Sequence, residues 1–234
     1  MMKAAGIGKA VIAVEDNKQE AAASLSAALD SAHDISVRVL KTKYPQGGEK
    51  QLVEAVTGRR IGSGKLPASV GAVVHNIATA FAVWQAVATG QPLIERVVTI
   101  TGDINYIAAI GTPFNEMPFT LPASPKIVVG GPMMGRAAVR LDAPVMKGTS
   151  GLTILDAGVK PKVRACVRCG ACVDACPMGL EPYLISTYGR LRMWDDASAA
   201  GVSDCLECGA CSYSCPSYRP ILDYIRVAKQ RCKR

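Results

Sequence analysis

Cys166-Val167-Arg168-Cys169-Gly170-Ala171-Cys172-Val173-Asp174-Ala175-Cys176-Pro177 and Cys205-Leu206-Glu207-Cys208-Gly209-Ala210-Cys211-Ser212-Tyr213-Ser214-Cys215-Pro216 decide the reading of this chain. Each is a Cys-x2-Cys-x2-Cys-x3-Cys-Pro run, and both copies are intact. Three closely spaced thiolates on a tight loop can wrap three irons of one cube. The fourth ligand must approach from the far side, so a separate stretch of chain supplies it. In proteins that hold two such clusters, the fourth cysteine of each run serves the other cluster. The spacing therefore predicts two [4Fe–4S] clusters. One takes Cys166, Cys169, Cys172 and Cys215, and the other takes Cys205, Cys208, Cys211 and Cys176. Gly170 and Gly209 leave room for backbone amides to approach sulfur, and Pro177 and Pro216 turn the chain away after the fourth ligand.

Zinc sites are built from two spaced cysteine pairs, not from three-plus-one runs. Disulfides belong to exported chains, and Met1-Met2-Lys3-Ala4-Ala5-Gly6 has no signal-peptide core, so the chain is expected in the cytoplasm. Every iron of both expected clusters has a cysteine, which suits electron relay and leaves no open position for substrate activation. Cys232 is left over and reads as a structural or incidental thiol.

Working outward, the 234 residues suffice for one large domain or two small ones, and 49% apolar with 20% charged is a globular composition. The most apolar stretch, Val70 to Thr89, contains His75, Asn76 and Gln85, and reads as a buried helix rather than a membrane span. The formal charge is +8, from 27 basic and 19 acidic residues. Two oxidised clusters on thiolates would lower it to about +4. Aromatics are only 5% and the basic residues are spread out, with the densest patch at Lys229, Arg231, Lys233 and Arg234. Nucleic-acid binding is therefore not expected. Docking on an acidic protein or an anionic membrane face uses the charge better.

Residues 9 to 14 read as a strand, Asp16 and Asn17 with Glu20 as a helix cap, and Ala21, Leu25, Ala28, Leu29 and Ala32 as a helical stripe. Ser36 to Lys41 returns as a strand, which makes a βαβ-like opening. Glu49 to Val56 and His75 to Ala88 are further helices. Arg96 to Thr101, Tyr106 to Ile110 and Ile127 to Val129 read as short strands, kept short by Pro113, Pro118, Pro122, Pro125 and Pro132. The expected domains are residues 1–91 (α/β), 92–158 (small β-rich module) and 159–234 (helical cluster domain), with Lys160-Pro161-Lys162 as linker. Leu180 to Ala200 and Arg219 to Lys233 are its expected helices.

Other signals are weaker. Gly62-Ser63-Gly64-Lys65 fails as a phosphate loop, because Arg59 and Leu66 stand where glycine and a hydroxyl are needed. Gly130-Gly131-Pro132-Met133-Met134-Gly135 reads as a turn. His33 and His75 have no catalytic partner by spacing, and Met133, Met134, Met146 and Met178 read as packing residues. Tyr44-Pro45-Gln46-Gly47-Gly48-Glu49-Lys50-Gln51-Leu52 places two glycines before a helix start, either a plain helix-entry turn or a seat for a phosphate or nucleotide hydroxyls.

With these residues in view, the chain resembles the RnfC family, the peripheral component of the bacterial Rnf ion-translocating electron-transport complex. The likeness is carried by Val14 to Lys18, Lys41 to Leu52, Leu93 to Val97, Gly130 to Gly135 and both cysteine runs, and spans nearly the whole chain. The first 90 residues also resemble part of the flavin- and NADH-binding subunit of respiratory complex I, and the middle module resembles the small β-grasp domain that follows it there. The resemblance implies FMN and NADH beside the two clusters. Gly47, Gly48 and Glu49 would line the nucleotide or flavin site, and Asn76 would contact FMN. It implies oxidation of NADH and electron exchange with ferredoxin, coupled to Na⁺ or H⁺ movement. It also implies partners among the membrane subunits and a peripheral place on the cytoplasmic side of the inner membrane, without a transmembrane helix.

Two departures shape the expectation. The N-terminal module and the glycine-rich segment that hold most of the family's FMN and NADH contacts have no counterpart here, and the β module is shortened around Asp103 to Tyr106. The chain is thus expected to be a fragment or a truncated product that keeps the wire, with apolar surface left for a partner to cover. Alternatives are a flavin-dependent corrinoid reductase and a ferredoxin-like relay without catalysis of its own.

Overall fold

The computed structural model describes residues 6–29, 34–101, 104–156 and 161–232. Of the residues discussed above, Met1, Met2, Lys3, Ala4, Ala5, Ala32, His33, Asp103, Lys160, Lys233 and Arg234 lie outside these ranges. The chain divides into two compact units, Met1–Gly90 and Gln91–Arg234.

In the first unit, β1 (Ala10–Glu15), α1 (Gln19–Ala28) and β2 (Ile35–Leu40) form the expected βαβ opening. The strands pair in parallel from Ala10↔Ile35 to Glu15↔Leu40. Asp16 is not a helix cap. α1 starts after Lys18 with no side-chain cap, and Asp16 Oδ1 instead accepts from Thr42 N (3.0 Å) and Thr42 Oγ1 (2.6 Å). That bond ties the end of β1 to the end of β2, and it holds the Asp16 carboxyl below its usual range. Two further helices follow, α2 (Glu49–Thr57) and α3 (Ile77–Thr89).

The expectation that α3 is buried is overturned. Ile77, Phe81, Trp84 and Val87, at three- and four-residue spacing, form an exposed stripe, each more than half accessible. The composition is that of a core helix, but among the described residues no other element covers the stripe. Phe81 and Trp84 instead pack on one another, ring centroids 5.5 Å apart. No described helix is long and apolar enough to cross a membrane.

The second unit carries both a sheet and the cysteine region. The strands are β3 (Glu95–Ile100), β4 (Ile104–Ala109), β5 (Pro125–Val129), β6 (Arg136–Ala137) and β7 (Gly151–Asp156), in the order β4-β3-β7-β5-β6. β3 and β4 pair antiparallel, as the alternation predicts. β7, which the sequence reading missed, runs parallel to β3 and antiparallel to β5 and so joins the two hairpins. Val98, Ile100, Ala108, Phe114, Ile127, Val145 and Leu152 close the core beneath it. Gly130 to Gly135 is a turn, as expected. Gly135 is obligatory there, since a Cβ would lie 2.4 Å from Val128 Cγ1 and 2.6 Å from Gly131 O.

The cysteine region contains α4 (Ala171–Asp174), α5 (Pro182–Leu191), α6 (Trp194–Ala199), α7 (Ala210–Tyr213) and α8 (Ile221–Cys232). The single helix expected over 180–200 is two. Arg192 takes a left-handed conformation (φ 60°) that caps α5, and Met193 N donates to Tyr188 O. The break folds α6 back, so that Ala197 joins Ile185, Val202, Ile221, Ile225 and Ala228 in one core. α8 shows that core Ile221, Ile225 and Ala228 at helical spacing. Gly189 sets the α5–α8 approach, because a Cβ there would meet Tyr224 O at 2.4 Å.

Candidate iron–sulfur centre

The two cysteine runs have the same backbone. Arg168 and Glu207, each between the first two cysteines, are left-handed (φ 54° and 56°). Gly170 and Gly209 follow at φ 79° and 83°, and each leads into a single helical turn, α4 or α7. Gly179 and Tyr218, three residues after the last cysteine of each run, are left-handed again. Left-handed residues, a conformation that costs any residue but glycine about 1–2 kcal/mol, recur at equivalent positions because they bend each loop back and turn its sulfurs inward.

Two cavities result. Cys166, Cys169, Cys172 and Cys215 line one, together with Arg168, Tyr183 and Arg219. Cys176, Cys205, Cys208 and Cys211 line the other, together with Leu180, Ile185, Leu222 and Ile225. Each cavity thus meets three cysteines of one run and the last cysteine of the other. The crossing has a visible cause. Arg164 N donates to Ser217 O (3.0 Å) and Ser217 Oγ donates to Ala165 O (2.9 Å), which clamps the chain entering the first run to the chain leaving the second.

The cavities differ in surroundings. Cys166 and Cys169 are exposed, whereas Cys208 and Cys211 are buried. Burial, with the crowding of Cys205, Cys208 and Cys176, pushes the Cys211 thiol up to about 12. Burial also raises Cys205, opposed by the Glu207 amide and by Lys229. Burial raises Cys172 as well, against the Tyr183 amide. Backbone amides reach sulfur at Leu180 N to Cys176 Sγ and at Glu207 N to Cys205 Sγ, both 3.4 Å. Cys205 and Cys211, whose ionisation burial opposes, suit a cationic iron–sulfide core, whose charge reverses that opposition. Among the described residues no three His, Cys, Asp or Glu side chains converge as a single-ion site. The donor set, two rings of four thiols, fits two cubane clusters.

Other sequence candidates lie elsewhere. Gly48 precedes α2 in extended conformation, Glu49 begins the helix, and Gly47 and Glu49 are exposed. Asn76 caps α3, its Oδ1 accepting from Ala78 N at 2.9 Å. Cys232 stands outside both cavities and donates from Sγ to Trp194 O (3.2 Å). Lys229, read as part of a basic tail patch, is turned inward with its side chain only 15% exposed. It lies 3.3 Å from Glu207 Oε1, and Arg226 Nε lies 3.3 Å from Glu207 Oε2. The sequence reading missed Glu207 and Arg226. The signal was present, because Glu207 occupies the position that Arg168 holds in the first run.

The repeated loops and two thiol-lined cavities define a two-cluster iron–sulfur module, and residues 158–216 match the 4Fe-4S dicluster domain family. Residues 1–85 match the Nuo51 FMN-binding domain family. The chain is 42% identical over 231 residues to the C component of the ion-translocating oxidoreductase complex of Salmonella gallinarum, covering 94% of this chain and 34% of that protein. The proteins of the same name from Salmonella dublin and Salmonella paratyphi B are also 42% identical over 94% of this chain, with 33% and 31% of their own lengths covered. The resemblance drawn from the motifs is borne out by these likenesses, and the chain spans about a third of the length of the curated relatives it matches.

Proposed function

We propose that this chain is the electron-relay portion of one component of an ion-translocating oxidoreductase complex. One [4Fe–4S] cluster is held by Cys166, Cys169, Cys172 and Cys215, and the other by Cys176, Cys205, Cys208 and Cys211. The observation that carries the reading is the pair of cavities, each ringed by three thiols of one run and one of the other. When bound, the clusters supply one-electron transfer chemistry. The chain's own residues hold them, exclude water from the buried cavity through Leu180, Ile185, Leu222 and Ile225, and leave Cys166 and Cys169 at the surface. The exposed cavity is the side on which electrons are exchanged with a partner, and Arg168 and Arg219 at its lining favour an acidic one.

The partners are the other subunits of the complex, with ferredoxin or NADH at the ends of the path, and the site of action is the cytoplasmic face of the membrane. The match to an FMN-binding domain supports a flavin seat in the first unit, for which Gly47, Gly48, Glu49 and Asn76 are the candidate residues. The Gly48 N–H is already donated to Pro45 O at 2.9 Å, so Gly48 would contribute close backbone approach rather than a donor.

The test is Cys176→Ala in the whole chain, reconstituted anaerobically with iron and sulfide. Low-temperature EPR is expected to show one intact cluster and one lost or converted, and a further Cys166→Ala change then damages the survivor. Loss confined to the Cys166, Cys169 and Cys172 cluster would refute the crossed assignment.

A further inference from the structure

Gly130 to Gly135, the turn between β5 and β6, is a specific motif that electron relay by itself does not use. It touches the buried cavity's wall. A Cβ on Gly209, between Cys208 and Cys211, would lie 2.8 Å from Met133 O, so the turn's backbone packs directly on the cysteine loop. Next to it, Arg226 Nη2 donates to Met134 O (3.2 Å) while its Nε holds Glu207. Lys229, one turn further along α8, reaches both Glu207 and the carbonyl oxygen of Cys205. All three side chains are mostly shielded, at 15–30% exposure. Two cations and one carboxylate leave a net charge of +1 against the second cysteine loop.

Among the described residues, the first loop has no such arrangement at the equivalent position. Arg168 stands there, exposed, at the lining of the open cavity. The backbone of the repeat is symmetric, but the side chain at this position changes sign, from Arg168 to Glu207, and only Glu207 gathers two shielded cations.

We infer that Lys229, Arg226 and Glu207, pinned by the Met133–Met134 turn, are positioning residues that set the reduction potential of the cluster held by Cys176, Cys205, Cys208 and Cys211, apart from that of its neighbour. This rests on the two-cluster reading above. The physical reason is electrostatic. Reduction adds one electron, and hence one negative charge, to the cluster. Potentials follow the net charge, hydrogen bonding and solvent exposure around it. A cation held in a shielded site is screened far less than one on the surface. Lys229 therefore favours the reduced state and raises the potential, and Glu207 opposes it. Glu207 has a second role, since it bridges both cations and holds them in place.

The test is an EPR-monitored potentiometric titration of the whole reconstituted chain, with the buried cluster identified by its loss or conversion in Cys176→Ala. Lys229→Met is expected to lower the reduced-to-oxidised ratio of that cluster at least tenfold at fixed potential, about 59 mV for one electron. The other cluster is expected not to move. Glu207→Gln is expected to shift the same cluster in the opposite direction, and Lys229→Arg to restore it. Unchanged potentials with both clusters assembled would overturn the inference, as would shifts of one sign in both variants. If Lys229→Met does not retain the cluster, Glu207→Gln decides alone: an upward shift supports the inference, and no shift or a downward one overturns it. Failure of the unmodified chain to assemble two cubane clusters would instead refute the site reading, and the inference would fall with it.

Discussion

Gly170→Ala and Gly209→Ala are equivalent substitutions in the two cysteine runs, and the structure assigns them different costs. Both glycines are left-handed, at φ 79° and 83°. A side chain in that conformation costs about 1–2 kcal/mol. At Gly170 a Cβ meets nothing within 4 Å, so the conformational cost is the whole of it. At Gly209 the Cβ meets Met133 O at 2.8 Å and Leu222 Cδ2 at 3.7 Å. The obstacle is backbone, not the tip of a flexible side chain, so the turn or the cysteine loop must move. Overpacking of this kind adds about 1–3 kcal/mol. Gly209→Ala is therefore expected to destabilise by about 2–5 kcal/mol in all. The assay is thermal and guanidinium challenge of the reconstituted chain, followed by the loss of cluster absorbance and by circular dichroism. Gly209→Ala is expected to release iron earlier than Gly170→Ala and to lose its buried cluster first. Equal behaviour of the two variants would refute the packing of the Met133–Met134 turn on the second cysteine loop.

Cys232→Ser is expected to leave iron and sulfide content unchanged, because Cys232 stands outside both cavities and bonds to Trp194 O; metal analysis checks this. Ile225→Ala empties a site at the centre of the helical core and is expected to cost about 2–5 kcal/mol, read by denaturant unfolding of the iron-free chain. The iron-free chain is expected to lose stability as pH rises above 9. The folded Cys211 thiol, pushed up to about 12 from its ordinary value of 9.0, stays protonated where the unfolded one ionises. That contribution is complete below pH 9 and is lost towards 12, so unfolding midpoints at pH 7 and 10 decide it. Phe81→Ser with Trp84→Ser is expected to reduce binding of an apolar dye without changing the helical signal, since the stripe on α3 is exposed.

The clusters were legible because their information is local. Eight cysteines in two fixed spacings, each run closed by proline, specify a ligand loop whatever the rest of the chain does. The βαβ opening and the β3–β4 hairpin were legible for a related reason, since alternation and helical spacing are properties of short windows. Local patterns failed where a neighbour decided the outcome. Asp16 has a cap's composition, but Thr42 lies within reach across the parallel pair and takes its oxygen. Arg192 is an ordinary helix residue that becomes a cap because Ala197 must reach the core. β7 has its alternation spoiled by burial between β3 and β5.

By itself the sequence determined the ligand type, the number of clusters expected and the crossed grouping of the eight thiols. The tertiary structure decided how the two runs are clamped together, which cavity is open and which charges face it. Those follow from contacts between residues far apart along the chain, such as Ser217 with Ala165, Met133 with Gly209 and Glu207 with Lys229. Residue spacing fixes a loop's shape, but only packing fixes what stands opposite it.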